Sequence, residues 1–543
     1  MSSQPKGSLH SRVTLGLVFS LVFAVAAASA GQAQTYTDIH DFDGRNNGCC
    51  PDRPALLAQG RDGNLYGTAL GGVNGDGIVF KITPAGSLSV VYPFTGGDDG
   101  FSPRSGLTLG TDGNFYGTTR FGGKGTSATG TIFKVTPGGT LTTLYTFTGG
   151  IDGGRPWGPP VQGTDGNFYG TTEFATAYKI TPSGAFTPLG AIPGQSFSPV
   201  IQAADGNLYG TTVDGGAIGA GTVFKISLAG KITIFRSFDG THGSGPYGPV
   251  FQGNDRNFYG ATSGGGTKNR GVVFKMSPTG AITVLHSFDP TDTADGNDPM
   301  AGTVVATDGN VYGDTQLGNT TSSQGVFFKT NSTGTSYSVL HTFDGTTGGA
   351  PQATPMQHTN GKIYGLTPLG GSTGNGVVYT EDLGLAPSVK LVSTLGKVGK
   401  TIGILGSGFT GTTAVKFNGV SATFAVVLNT YLTATVPTAA TSGFVQVTTP
   451  GGTLTSSAKF GVTPTISSFS PTSGPVGTSV VISGNSLLQT TKVTFGGVKA
   501  TSVTMISNTH VTAVVPSGAK TGKIAVTTAG GTASSSAVFT VTP

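Results

Sequence analysis

The apolar and polar positions predict a four-stranded unit that is repeated along the first two thirds of the chain. In the second unit, residues 107–110 are a short apolar run, residues 111–114 (Thr-Asp-Gly-Asn) predict a hairpin turn, and residues 115–119 predict a second strand. A Gly-rich loop over residues 120–129 precedes a third strand at 130–136, and alternation over 141–147 predicts a fourth. Four antiparallel strands joined by tight turns are typical of a propeller blade.

This unit recurs seven times. A phrase of the form Asp-Gly-Asn, aromatic or aliphatic residue, Tyr, Gly marks five copies, close variants of it mark the fifth and seventh, and the tyrosines are 40 to 53 residues apart. They are Tyr66, Tyr116, Tyr169, Tyr209, Tyr259, Tyr312 and Tyr364. The spacing predicts an all-β, seven-bladed β-propeller. A right-handed β-solenoid is the structural alternative, although rungs of this length would be unusually long.

The two ends of the repeat region predict a closed ring. The last unit stops after its third strand at residues 376–380, while residues 37–44 match the fourth-strand pattern seen at residues 340–345. We therefore expect the N-terminal strand to complete the seventh blade, which removes the exposed edges of an open array.

Past residue 385 a different pattern begins. Two segments, residues 386–463 and 464–543, show alternating strands with turn signals every 8–12 residues. In the second, residues 474–478 (Gly-Pro-Val-Gly-Thr) lead into an apolar run at 480–482, and residues 493–497 read Val-Thr-Phe-Gly-Gly. We predict two small Ig-like β-sandwich domains.

Both regions resemble known families. The phrase TDGNFYGTT, followed by GTIFKVTP and LYTF, resembles the Gly-rich tandem repeat of the choice-of-anchor GloVer proteins over residues 36–385. That resemblance implies an exported bacterial surface protein and assigns no biochemical activity. The two C-terminal segments resemble IPT/TIG domains, the second more closely, because the first departs at residues 438–443. The IPT/TIG resemblance implies spacers or accessory binding modules.

Composition and charge argue against two classes of protein, namely collagen and nucleic-acid-binding proteins. Glycine supplies 92 of 543 residues without a Gly-X-Y period, which excludes collagen. The 30 Lys and Arg and 25 Asp and Glu are scattered without a basic stripe, so we expect no nucleic-acid partner.

The N-terminus predicts export. Lys6 and Arg12 flank an apolar segment at residues 13–27, and residues 28–30 (Ala-Ser-Ala) form a cleavage site, with a second possible site at 31–33. The alternative, an uncleaved membrane anchor, has an apolar run shorter than the roughly 20 residues of a span. We predict a signal peptide at residues 1–30 and a secreted, surface or periplasmic protein without membrane insertion after cleavage.

The two cysteines, Cys49 and Cys50, are adjacent. In an oxidising compartment they are candidates for a vicinal disulfide. The alternatives are two partly buried thiols or an intermolecular bridge.

The search for chemistry favours a non-catalytic protein. His40, His286 and His341 share one register on the fourth strand with Tyr92 and Tyr145, which indicates a packing position. The Asp that begins six of the hairpin turns indicates a structural role, and the acidic loops at 98–99 and 292–298 lack the spacing of a calcium loop. No hydrolase, zinc or P-loop motif is present. We predict no catalytic residue, metal or cofactor. A propeller lyase or hydrolase is the enzyme alternative.

One variable position is the best candidate for a binding site. It lies eight residues before the turn Asp, at the mouth of the innermost strand, and small residues follow it, as expected where backbones crowd near an axis. It is occupied by Pro54, Arg104, Trp157, Phe197, Tyr247, Met300 and Gln352. This ring either forms a stacking platform for sugars or plugs the channel mouth.

The sequence as a whole therefore predicts recognition of extracellular carbohydrate or another surface polymer through the variable propeller face. A cell-surface protein is the alternative partner, in which case the chain would be a structural adhesion scaffold.

Overall fold

The computed structural model describes residues 34–52, 56–125, 128–293, 295–318, 320 and 323–543. Over these residues the chain forms β-strands and no helix. Accordingly, none of the described segments is a helix that could cross a membrane. The predicted signal peptide, residues 1–30, and Pro54 lie outside the described residues.

The repeats fold into four-stranded antiparallel sheets, of which the described residues form seven. We number them repeat sheets 1 to 7. Their first strands are Ala58–Gln59, Thr108–Leu109, Val161–Gln162, Ile201–Gln202, Phe251–Gln252, Val304–Val305 and Met356–Gln357. The second strands are Leu65–Ala69, Phe115–Thr119, Phe168–Thr171, Leu208–Thr212, Phe258–Thr262, Val311–Thr315 and Ile363–Thr367. The third strands are Ile78–Ile82, Thr131–Val135, Thr176–Ile180, Thr222–Ile226, Val272–Met276, Val326–Thr330 and Val377–Asp382. The fourth strands are Leu88–Pro93, Leu141–Thr146, Phe186–Ala191, Ile232–Ser237, Ile282–Ser287, Tyr337–Thr342 and, for sheet 7, Thr35–Asp41.

Close packing explains the Tyr-Gly pair of the repeat. The second strands are buried along their whole length. A Cβ built on Gly117 would lie 2.5 Å from the Phe133 ring, and one built on Gly67 would lie 2.6 Å from the Phe80 ring. The glycine therefore makes room for the aromatic side chain of the third strand in the same sheet.

The N-terminal strand belongs to the last repeat sheet. Thr35–Asp41 pairs antiparallel with Val377–Asp382 and places Tyr36 opposite Glu381. Phe42 extends this pairing, because its amide donates to the carbonyl of Gly376 at 3.0 Å. Sheets 1 and 7 share one buried cluster that includes Phe80 and Tyr364.

Glutamine side chains link neighbouring repeat sheets. In five pairs of sheets, the side-chain oxygen of a first-strand glutamine accepts a hydrogen bond from a backbone N–H in the turn of the preceding sheet, at 2.7 to 3.3 Å. The pairs are Thr111–Gln162, Thr164–Gln202, Ala204–Gln252, Thr307–Gln357 and Thr359–Gln59. The last of these pairs joins sheet 7 to sheet 1.

The C-terminal third forms two β-sandwiches with separate cores. The first pairs Lys390–Leu391, Thr401–Leu405, Tyr431–Thr435 and Phe424–Leu428 in one sheet and Val420–Ser421, Ala414–Phe417, Val445–Thr449 and Gly452–Thr455 in the other, with Leu395–Gly396 parallel to Gly461–Val462. The second pairs Thr465–Ser470, Ser479–Asn485, His510–Val514 and Val503–Met505 against Ser473–Gly474, Gly531–Val541, Gly522–Thr528, Thr490–Phe495 and Val498–Lys499.

Candidate functional site

The repeat sheets present two faces of different character. The turn face carries the hairpin turns between first and second strands, and the loop face carries the loops between second and third strands. On the turn face, six aspartates each accept a hydrogen bond from the Tyr hydroxyl of the same repeat at 2.7 to 2.9 Å. In sheet 7, Asn360 donates to the Tyr364 hydroxyl at 2.9 Å instead. These polar groups hold the tyrosines and so have a structural role.

A repeated backbone motif builds the loop face. In repeat sheets 2, 3, 6 and 7, the residue two positions before the ring residue is a non-glycine with a positive φ, and a proline follows it. Its amide donates to a carbonyl in the loop of the preceding sheet at 2.7 to 3.1 Å. The four residues are Ser102, Arg155, Asp298 and Ala350. Left-handed non-glycine residues before proline are costly and fix the direction of the side chains that follow.

The same motif corrects the ring position in repeat sheet 1. Cys50 has φ +49, donates its amide to the carbonyl of Asn375 at 2.8 Å and precedes Pro51. The ring residue of sheet 1 is therefore Asp52 rather than Pro54. The prediction failed because it counted a fixed eight residues back from the turn Asp, whereas in this repeat Asp52 precedes Asp62 by ten.

Consecutive ring residues touch one another. Asp52 and Arg104 form an ion pair. The Arg104 guanidinium lies 5.4 Å from the centre of the Trp157 ring. Trp157 meets Phe197 edge to face at 5.2 Å, and Phe197 stacks on Tyr247 at 5.6 Å. The structure thus brings together four of the predicted residues, in chain order around the loop face. Met300 and Gln352 occupy the equivalent positions in sheets 6 and 7 and are partly buried.

The small residues after the ring positions have the packing role that the sequence indicated. A Cβ built on Gly158 would lie 2.4 Å from the backbone nitrogen of Pro199. One built on Gly248 would lie 2.1 Å from the backbone nitrogen of Gly302. Backbones of neighbouring repeats approach closely here, which leaves no room for larger side chains.

Further charged residues, which the sequence analysis missed, complete the cluster. Glu173 accepts hydrogen bonds from the Trp157 indole at 2.9 Å and from Arg120 at 3.0 Å, and its other oxygen lies 3.9 Å from Arg155. The Arg120 guanidinium lies 4.4 Å from the centre of the Trp157 ring. Arg120 and Glu173 each lie four residues after the repeat tyrosine in adjacent repeats, so opposite charges at one repeat position were the available signal.

The exposed fractions of these side chains distinguish residues that support the cluster from residues that can contact a ligand. Trp157 is only 6% exposed, so it packs between the arginines and Phe197 rather than offering an open face. The Arg155 side chain is 41% exposed, and Arg104, Phe197 and Tyr247 are partly exposed. Three guanidinium groups against two carboxylates leave this ring cluster with a net positive charge. It can donate several hydrogen bonds in fixed directions.

Exposed aliphatic side chains also lie in the loops of the loop face, and we call them the aliphatic rim. They are Val73, Ile151, Ile218, Leu317 and Leu369, of which Ile151 is the most exposed at 89%. Exposed apolar residues gathered on one face mark interaction surfaces more often than isolated ones do.

Both cysteines are free and partly buried. The bond between Cys49 and Cys50 is not formed in the structure, and the vicinal disulfide stays a prediction for the exported protein. The hydrogen bond from Cys49 lowers the pKa of Cys50 to about 7, and the nearby Arg104 charge acts in the same direction, whereas burial opposes both.

The fourth-strand histidines pack as the sequence indicated. His286 stacks on Tyr337 at 3.6 Å and pairs with Asp295 at 2.9 Å. His341 stacks on Tyr36 at 3.6 Å. In other repeats a tyrosine takes the same place, as Tyr145 does against Phe186.

Comparison with known proteins defines the family. The model of the Gloeobacter/Verrucomicrobia repeat matches residues 12–194 and 110–295, which together are just over half of the chain. The model of the IPT/TIG domain matches residues 464–541. The chain therefore belongs to the family of proteins with the Gloeobacter/Verrucomicrobia repeat and carries an IPT/TIG domain, which confirms the resemblance of the repeat region and that of the second C-terminal segment. The IPT/TIG resemblance of residues 386–463 stays a prediction. No curated protein matches the sequence.

Solved structures give weaker likenesses. A surface glycan-binding protein of a xyloglucan utilization locus in Bacteroides uniformis is 22% identical over 28% of this chain and 48% of that one, with a TM-score of 0.15. One from Prevotella bryantii is 18% identical over 28% and 41%, with a TM-score of 0.22. The extracellular domain of a two-component system from B. thetaiotaomicron is 11% identical over 89% and 62%, with a TM-score of 0.42. The chain thus spans less than half the length of the two glycan-binding proteins, and at these TM-scores we base no conclusion on the likenesses.

Proposed function

We propose that this chain is an exported, non-catalytic binding protein that recognises extracellular polysaccharide through its loop face. In this proposal the seven repeat sheets are the blades of a closed propeller, and the two sandwiches act as a spacer. The observation that carries the proposal is the unbroken run of contacts from Asp52 to Tyr247, beside Arg120 and Arg155, at one position of successive repeats.

Two features support a closed ring. The N-terminal strand fills the fourth position of sheet 7. Sheet 1 is also held against sheet 7 by Gln59, whose amide group donates to the Thr359 hydroxyl at 2.7 Å. A closed ring gathers the seven variable positions around one axis, where a single polymer segment can touch several of them.

The chemistry of the ring cluster suits a sugar polymer. Guanidinium groups hydrogen-bond to hydroxyl pairs and carboxylates, and aromatic side chains pack against the C–H faces of sugar rings. Asp52 and Glu173 are each engaged by arginines, so neither is placed to exchange protons with a substrate, as a glycosidase acid or base must. This engagement favours binding over catalysis.

The aliphatic rim favours a second candidate function. Exposed Val, Ile and Leu side chains give little to a hydrated sugar but are suited to the apolar core of a protein interface. A protein-binding adhesion scaffold would use this rim, with Ile151 as its most exposed member.

The test is a binding screen of residues 31–543 against neutral and acidic polysaccharides. We expect a saturable hit that Arg155→Gln and Tyr247→Ala each weaken at least tenfold, because both side chains are accessible on the loop face. The matched control is Arg61→Gln in the turn between the first and second strands of sheet 1, which removes the same charge on the turn face. Equal binding by the two arginine variants would overturn the polysaccharide proposal.

A whole-cell adhesion assay separates the second candidate. A protein-binding scaffold loses adhesion in Ile151→Ser and keeps it in Arg155→Gln. Polysaccharide recognition by the ring cluster gives the opposite pattern.

A further inference from the structure

A cavity of about 530 Å³ lies where the turn face meets the two C-terminal sandwiches. Its walls come from repeat sheets 4 and 5, from the first sandwich and from Gln489 and Ala529 of the second. This volume is within the range of sites that hold small ligands. The cavity is on the opposite face from the ring cluster, so it is a separate place on the molecule.

The charged residues that line this junction cavity are all cations. They are Arg256, Lys390 and Lys459, and the described lining residues include no Asp or Glu. Arg256 and Lys459 are exposed, whereas Lys390 is partly buried, and burial lowers the pKa of its amino group. Like charges around one space repel each other, so an anion between them would relieve the repulsion.

Much of the hydrogen-bonding capacity of these cations is left open. Among the described residues, no acceptor or carboxylate pairs with the Lys390 amino group, although this residue lines the cavity. Arg256 donates one bond to the carbonyl of Ala529 at 3.1 Å. Its guanidinium has five N–H groups, so most of its donors remain for a ligand.

Arg256 itself departs from the repeat. In the other repeat sheets the same turn position is a glycine with positive φ, as in Gly63 and Gly113, whereas Arg256 adopts φ +69 with a side chain. A non-glycine residue in this conformation costs roughly 1 kcal/mol. The chain accepts this cost at Arg256, whose guanidinium lies beside the cavity.

Apolar surface lies beside the cations. Phe251 and Phe444 line the cavity together with Leu391 and Leu395. The Lys459 amino group lies 5.6 Å from the centre of the Phe444 ring, so charge and flat apolar surface meet. A ligand that suits both carries a carboxylate on a compact ring with an apolar face.

We propose that the junction cavity binds an acidic saccharide, namely a unit of one or two hexuronic acid residues. Arg256 and Lys390 hold the carboxylate, and the Phe251 and Phe444 rings pack on the sugar. The site is independent of any ligand of the ring cluster. Because its walls come from three parts of the chain, its occupation also fixes the repeat sheets against both sandwiches.

Calorimetric titration of residues 31–543 with digalacturonate tests this proposal. We expect saturable binding that Arg256→Gln and Lys390→Met each weaken at least tenfold and that added salt weakens as well. The matched control is Lys492→Gln, which removes one exposed positive charge from the second sandwich. This control should bind as the parent chain does. Arg155→Gln reports whether the ring cluster holds the ligand instead.

Several results would overturn the site. They are no binding, unchanged binding in Arg256→Gln, or equal binding of a neutral disaccharide. Equal binding of acetate would reduce the cavity to an anion site without sugar recognition. If Arg155→Gln alone abolished binding, the ligand would belong to the ring cluster and the junction proposal would fail. Arg256 lies in an exposed turn, so its variant decides the matter even where Lys390→Met does not fold.

Discussion

The turn face and the loop face of the repeat sheets are made by the same repeat and differ in what they keep constant. On the turn face, six repeats hold the same Asp–Tyr hydrogen bond within 0.2 Å of each other, at 2.7 to 2.9 Å. On the loop face, the backbone motif recurs but the side chain that it presents changes from Asp52 to Arg104 to Trp157. The difference teaches that the repeat supplies a scaffold and that, in the proposed function, recognition falls to the positions whose side chains vary between repeats.

The turn face follows the same rule where it departs from the repeat. Arg61 packs over Tyr431 at 4.5 Å, and its carbonyl accepts a bond from Thr430. Asn254 bonds to Lys459 at 2.9 Å. These two irregular positions on the turn face therefore mark contacts with a C-terminal sandwich.

The largest expected effect comes from a loop-face residue that behaves as core. Trp157→Ala should lower the free energy of unfolding by about 3–5 kcal/mol, because Trp157 is 6% exposed and supports its neighbours. Tyr247→Ala, at a partly exposed ring position, should cost less than about half of that. Urea unfolding of both variants measures the difference, and equal losses would mean that the ring is a uniform plug.

The second effect concerns pH and the pairing of the N-terminal strand with the third strand of the last repeat sheet. Burial raises the pKa of Glu381 from 4.5 to about 7. Since the folded protein then holds a proton that the unfolded chain releases, this contribution is complete below pH 4.5 and is lost as pH rises through about 7. The pKa of Asp38 is also raised to about 7, mainly by burial, and acts in the same direction.

Glu381→Gln should therefore flatten the fall in stability between pH 4.5 and 7 by up to about 3 kcal/mol. Unfolding at several pH values measures this slope. A slope that is unchanged in the variant would show that Glu381 does not titrate in this range.

A smaller and repeated effect is expected on the turn face. Tyr116→Phe removes the hydroxyl that donates to Asp112 at 2.9 Å, and Tyr259→Phe removes the one that donates to Asp255 at 2.7 Å. Each should cost about 1 kcal/mol and leave polysaccharide binding unchanged. Clearly different costs in the two repeats would contradict the view that these turns are equivalent.

The smallest expected effect is at the irregular turn of sheet 5. Arg256→Gly restores the residue that the other repeats use, which relieves the left-handed conformation but removes the bond to Ala529. The two changes oppose each other, so stability should change by less than about 1 kcal/mol. A melting experiment measures this. A loss of several kcal/mol would show that the sandwich contact matters more than the turn.

The sequence predicted those parts of the molecule that repeat. The strand pattern, the structural turn aspartates and the crowding beyond the ring position all follow from one phrase and its period. The prediction misplaced the ring residue of sheet 1, because it assumed a fixed distance to the turn Asp. Two additional residues separate Asp52 from Asp62, although the spacing of the repeat tyrosines is unchanged.

The missed parts depend on pairs of residues that are distant in the chain. Glu173 gathers Arg120 and Arg155 only when adjacent sheets are placed side by side. The junction cavity likewise depends on how the sandwiches dock, which no local pattern encodes.

Hydrogen–deuterium exchange tests the central claim most directly. Residues 31–543, saturated with the polysaccharide that the screen returns, should gain protection at residues 102–106, 155–158, 195–198 and 245–248 on the loop face, while the turn face stays unchanged. Protection confined to the turn face or to the C-terminal sandwiches would contradict recognition by the ring cluster.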